Sequence, residues 1–176
     1  MVLDPSTPVG TPAAEYFNIE SDEVIEVELT PNRIDGASHI GVARDLTAYL
    51  KQKDSKVQVK WPSVEGFQVD NHDWPVNVKV ENPEACIRYT GLTISNLEIK
   101  ESPGWLKNRL MAIGMTPINN VVDITNYILH EMGQPLHAFD GDKIKGDQVL
   151  VKTLEQGSRF TTLDEKEREL NDQDLM

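Results

Sequence analysis

PINNVVDITNYILHEMGQPLHAFD, residues 117–140, contains a complete helix together with its start and stop signals. Asn119 or Asn120 suits the position before the first turn, where a side-chain oxygen accepts an orphan N–H. Val121, Val122, Thr125, Ile128, Leu129 and Met132 recur at spacings of three and four, which predicts one buried helical face. Gly133 supplies the left-handed residue that ends the helix, and Pro135 prevents its resumption. Thr125, Asn126 and, beyond the turn, His137 are left as polar groups that can converge near one helix and the loop after it.

Upstream, Ser102-Pro103 reads as an N-cap followed by a proline at the first helical position. Leu106, Leu110 and Ile113 line one face of the helix that follows, and Gly114 stops it. Residues 87–99 read as one long or two short strands, with Gly91 available for a bulge, and residues 76–80 alternate as a strand. Residues 24–29, VIEVEL, alternate as another. A turn at 30–33 follows, because Pro31 cannot donate to a ladder. Ser38 then caps a helix carrying Ile40, Val42, Ala43, Leu46, Tyr49 and Leu50. Downstream, residues 149–154 read as a strand, and residues 158–163 and 167–170 as a hairpin around Asp164. The expected fold is α+β, a mixed sheet with packed helices preceded by a small strand-helix unit. Residues 1–22, with Pro5, Pro8 and Pro12, read as a linker; 23–55 form the strand-turn-helix unit; 74–176 form the larger domain. The boundary falls between residues 51 and 73, a polar, weakly patterned stretch.

The 39% hydrophobic and 26% charged content of the 176 residues supports an ordinary globular core. A single cysteine, Cys86, excludes an intrachain disulfide and a cysteine-rich metal site, which suits a reducing, cytoplasmic setting. The start, Met1-Val-Leu-Asp, has no basic or apolar leader pattern. No run approaches the roughly 18 apolar residues of a membrane span, so no membrane partner is expected. The formal net charge of −12 argues against this piece gripping a nucleic-acid backbone alone, and no DNA partner is expected. P-loop and G-x-G-x-x-G motifs are absent, so ATP binding by these residues has no support. His130, Glu131 and His137 do not match zinc spacings, and the acidic run 164–174 lacks a calcium-loop glycine; no metal is expected.

The run NNVVDITNYILHEMGQPLHAFD resembles the editing-domain signature of the beta chain of bacterial phenylalanyl-tRNA synthetases. ELTPNRIDGASHIGVARDLTAYL, residues 28–50, and RYTGLTISNLEIKESPGWLKNRL, residues 88–110, are similar to further parts of the same chain. The resemblance spans nearly all of the sequence and thins between residues 51 and 82. It implies an internal segment: the tRNA-binding module that interrupts the family's small N-terminal domain is missing, and residues reading the tyrosine hydroxyl are expected beyond Met176. The isolated segment is therefore expected to be inactive. The resemblance also implies a catalytic alpha chain as partner in an alpha2beta2 heterotetramer, and the 3′ end of tRNA(Phe) as substrate. ATP and magnesium belong to the parent complex, and this segment itself needs no cofactor. The family tends to have glycine where Glu165 stands, so a different turn is expected there.

The resemblance maps His137 onto the histidine that lines the editing pocket and helps deacylation, and Thr125 and Asn126 onto further pocket residues; Pro135 shapes the wall. Read without it, the threonine is a helix-face residue, the asparagine bonds local backbone, and a lone histidine is more often structural or surface-exposed than functional. The chemistry itself is simple. An apolar pocket discriminates against an added hydroxyl by only roughly 10², so tyrosine slips into a phenylalanine site and a second site must hydrolyse the wrong ester. His137 is expected to orient the water or terminal ribose, or to act as general base near neutral pH, while Thr125 and Asn126 hold the ester end. Two other readings share these residues: a non-catalytic, tRNA-positioning part of the synthetase, and a free-standing RNA- or amino-acid-binding module of the same fold.

Overall fold

Segments with apolar spacings of three and four fold as helices, and the paired strands lie elsewhere. The computed structural model describes residues 3–17, 19, 21–162 and 164–176. It divides into one unit of Met1–Ser63 with Glu98–Ala138 and a second of Val64–Leu97 with Phe139–Met176. The first break, between Ser63 and Val64, lies within the stretch 51–73; the division differs from a single larger domain over 74–176 in that residues 98–138 group with the N-terminal part and not with their sequence neighbours.

The first unit holds the helices α1 (Ala13–Tyr16), α2 (His39–Leu50), α3 (Gly104–Ala112) and α4 (Asn120–Met132). The expected linker thus contains one short helical turn; Met1, Val2, Asn18 and Glu20 lie outside the described residues. Ser38 caps α2 as expected, its hydroxyl accepting the Gly41 N–H at 3.0 Å. Gly41 is required there: a Cβ would stand 2.5 Å from the Asp35 carbonyl and 2.7 Å from the Gly36 backbone. Its absence lets the 3₁₀ turn Ile34–Gly36 lie against α2. Arg33 fastens the same corner from outside, bonding both Asp35 and Asp45. α3 packs on α4, and α2 packs on α4. Leu106 and Leu110 of α3 form the buried centre, at 0% and 2% exposure. Full burial of such a side chain stabilises by about 1.5–3 kcal/mol.

Among the described residues the second unit holds four strands. β1 (Asn77–Val80) pairs in parallel with β2 (Gln148–Val151), Asn77 opposite Gln148 and Val80 opposite Val151. β3 (Arg159–Thr161) and β4 (Glu167–Glu169) form an antiparallel hairpin. Val151 at the end of β2 and Leu170 just after β4 are buried apolar residues of this unit. Leu163, the end of the expected first hairpin strand, lies outside the described residues. Glu165 in the turn has φ 60°, the left-handed conformation that a glycine adopts without steric cost. The elements amount to the expected α+β class with small sheets.

Two strand expectations fail. Residues 24–29 and 87–99 form no described strand. Alternation marks a face ready for burial, but a strand also needs a neighbour, and these stretches have none among the described residues. Ile25 and Ile87 remain 83% and 93% exposed.

Candidate functional site

The site is built around α4, and α4 is fixed at both ends by its own residues. Asn119 is the N-cap: its side-chain oxygen accepts from Val121 N–H at 3.0 Å and Val122 N–H at 3.1 Å. Asn120 does different work. Its side chain accepts from Lys100 N–H and donates to the Glu98 carbonyl, while its backbone N–H donates to the Lys100 carbonyl. The start of the helix is thereby stitched to residues 98–100. At the other end Gly133 has φ 76° and donates its N–H to the Leu129 carbonyl. A Cβ on Gly133 would meet Ser38 at 3.3 Å, so the end of α4 abuts the cap of α2.

The buried residue of α4 is one that apolar counting passes over. Asp123 is at 0% exposure. Its carboxylate accepts from the Ser102 hydroxyl, itself 4% exposed, and from the Ile118 N–H at 2.9 Å. Ser102 therefore does not cap α3; Pro103 occupies the cap position, with no side-chain bond. The signal was local but ambiguous: an acid in the first turn of a helix suits the dipole whether it is buried or exposed.

Thr125 and Asn126 follow on α4, both half-buried. The Thr125 hydroxyl donates to the Val122 carbonyl at 2.7 Å, which leaves its lone pairs to accept from another group. Pro135 and His137 are exposed in the irregular segment after Gly133. All four candidates belong to the first unit, two on the helix and two on the segment leaving it. Nearby, Tyr127 stacks edge-on against Trp105 of α3 at 5.5 Å and donates to Glu131 at 3.0 Å. Burial, and then the Glu131 carboxylate holding the phenolic proton, raise the Tyr127 pKa above the usual phenol range. A shallow groove of about 340 Å³ runs along α2 between Ile40, Leu46, Leu50, Val59 and Pro62, with Glu131 at its edge. None of the four candidates lines it. Among the described residues no group of three or more metal-binding side chains gathers, and no helix is long and apolar enough to cross a membrane.

Comparison with known proteins agrees with the sequence resemblance. The chain is 57% identical, over all of its 176 residues, to the phenylalanine–tRNA ligase beta subunit of Bacteroides thetaiotaomicron. It is 55% identical over the same length to that of Porphyromonas gingivalis, and 41% identical over 177 aligned positions to that of Fusobacterium nucleatum. It spans about a fifth of the length of these curated relatives, 22% of the first and 21% of the other two. Residues 85–176, more than half of the chain and including α3, α4 and β2 to β4, match the family model of the B3/4 domain. The chain belongs to the B3/4 domain family.

Proposed function

We propose that this chain contributes to hydrolytic editing of mischarged Tyr-tRNA(Phe) as a segment of a phenylalanine–tRNA ligase beta subunit. The observation that carries the reading is the unbroken 57% identity to such a subunit over all 176 residues. The geometry suits the chemistry. α4 is anchored by Asn119, Asn120 and buried Asp123, so the half-buried Thr125 and Asn126 ride on a rigid element. With its proton committed to Val122, Thr125 accepts from the attacking water or the terminal ribose hydroxyl. Asn126 offers an amide donor to the ester carbonyl. His137, exposed beyond the Gly133 turn, orients the water, and Pro135 stiffens the wall that carries it. Positioning of this kind needs little intrinsic base strength.

In the same reading the partners are the catalytic alpha chain, in an alpha2beta2 assembly, and the 3′ end of tRNA(Phe), in the cytoplasm. ATP and magnesium serve the charging site of that assembly, and no step described here uses them.

The test places His137→Ala in an intact beta subunit assembled with its alpha chain. Tyr-tRNA(Phe) hydrolysis is expected to slow by about 10² or more, with phenylalanine charging within about twofold of the parent. Loss of both activities together would make His137 a structural residue and remove it from the site.

A further inference from the structure

Charge is distributed unevenly along this chain. Residues 44–60 carry five basic and two acidic side chains, in a chain of formal net charge −12. The five are Arg44, Lys51, Lys53, Lys56 and Lys60, and all are exposed. Among the described residues none of them makes an ion pair, whereas nine of the other 12 Lys and Arg side chains do. The two acids of the stretch are already engaged. Asp45 accepts from Arg33, and Asp54 accepts the Lys56 backbone N–H.

The local backbone brings the cations together. Arg44 and Lys51 are seven residues apart on α2 and its C-cap, which puts them on one side of the helix. The N–H groups of Gln52, Lys53 and Asp54 bond back to the carbonyls of Tyr49 and Leu50, and Val57 bonds back to Asp54. Residues 49–57 are thus a run of tight turns that crowds Lys51, Lys53 and Lys56 into a short span. Val59 and Pro62 then share the groove wall with Leu46 and Leu50 of α2, which returns Lys60 to the same helix. Two aromatic rings accompany them, Tyr49 at 58% and Trp61 at 55% exposure. The Lys53 ammonium stands 4.9 Å from the centre of the Tyr49 ring.

The negative end of the α2 dipole accounts for a lysine in or just after the last turn. It accounts neither for Lys56 and Lys60 nor for the exposed rings. A patch of cations alone would suit any polyanion; partly exposed aromatic rings in the same stretch favour one that carries stackable bases. We propose that residues 44–61 form a binding surface for single-stranded RNA, with phosphates on the lysines and bases against Trp61 and Tyr49. The surface uses none of Thr125, Asn126, Pro135 and His137, and it stands or falls separately from the editing assignment.

The experiment is a fluorescence-anisotropy titration of an end-labelled oligoadenylate of about 12 nucleotides with the 176-residue chain at several salt concentrations. Each single-strand phosphate contact contributes about −0.7 to the slope of log K against log salt. Lys51→Gln, Lys53→Gln and Lys56→Gln together are expected to weaken binding at low salt at least about tenfold and to flatten that slope by about 2. Trp61→Ala is expected to weaken binding by about fivefold or more with the slope unchanged, since stacking releases no counterions. A matched triple, Lys143→Gln, Lys145→Gln and Lys166→Gln, is expected to leave affinity and slope as they were. Circular dichroism identical to the parent's establishes that each variant is folded. Equal losses in the two triples overturn the proposal, as does an unchanged slope in the first. So does capture of the chain by phosphatidylserine vesicles when the oligonucleotide does not bind.

Discussion

A carboxylate at 0% exposure must find its compensation inside the fold, and Asp123 finds it in the Ser102 hydroxyl and the Ile118 N–H. Removing the carboxylate leaves the buried Ser102 hydroxyl and the part-buried Ile118 N–H without their acceptor. Asp123→Ala is therefore expected to destabilise the chain by about 2–4 kcal/mol, read as a lowered urea midpoint. Ser102→Ala alone removes one donor and costs less. Because the two share a hydrogen bond, the double variant is expected to cost less than the sum of the singles, by about 0.5–3 kcal/mol. Strict additivity would show that the pair contributes nothing jointly. This residue was not legible in the sequence. Position 123 sits between Val122 and Ile124, and its burial depends on Ser102, 21 residues earlier in the chain. The cap, by contrast, was legible to within one residue, Asn119 or Asn120, because it acts on N–H groups two and three residues away. The four candidate residues are read from the resemblance, since periodicity places Thr125 on a helix without saying what it touches.

At the scale of the element, α4 owes its ends to local chemistry, and that is why its limits could be read in advance. The two left-handed glycines after α3 and α4 look alike in sequence but stand in different surroundings. Gly114, at φ 80°, has nothing within 4 Å of the place a methyl group would take, while Gly133, at φ 76°, faces Ser38 at 3.3 Å. Gly114→Ala therefore carries only the left-handed penalty, about 1 kcal/mol. Gly133→Ala carries that penalty plus displacement of the α2 cap, and is expected to lower thermal stability further than Gly114→Ala. Equal melting temperatures for the two variants would mean that the contact with Ser38 yields freely. The strands were less legible than the helices. β1 alternates and pairs; residues 24–29 alternate as clearly and do not. Pairing is decided by what lies alongside, which no window of neighbouring residues contains.

At the scale of the whole molecule, the same unpaired stretches have a physical consequence. Val24, Ile25, Ile87, Leu92 and Ile94 stand exposed outside any described strand, apolar surface of the kind that invites association. Sedimentation velocity on the chain alone is expected to show reversible association at tens of micromolar. Ile25→Lys with Ile87→Lys is expected to abolish it, and a monomer at every concentration for the parent chain would refute the idea. The division into two units was legible only in part. The helical and strand-forming stretches could be separated, but the return of residues 98–138 to the N-terminal part rests on contacts such as Arg109 with Asp22, 87 residues apart. The pairing of β1 with β2 has one more implication, for the chain as it is made. Asn77 lies opposite Gln148, so β1 leaves the ribosome roughly 70 residues before its neighbour exists. At about 5–20 residues per second it waits several seconds, through the whole synthesis of α3 and α4, which belong to the other unit. The helical unit can gather during that interval, before the parallel sheet has its second strand.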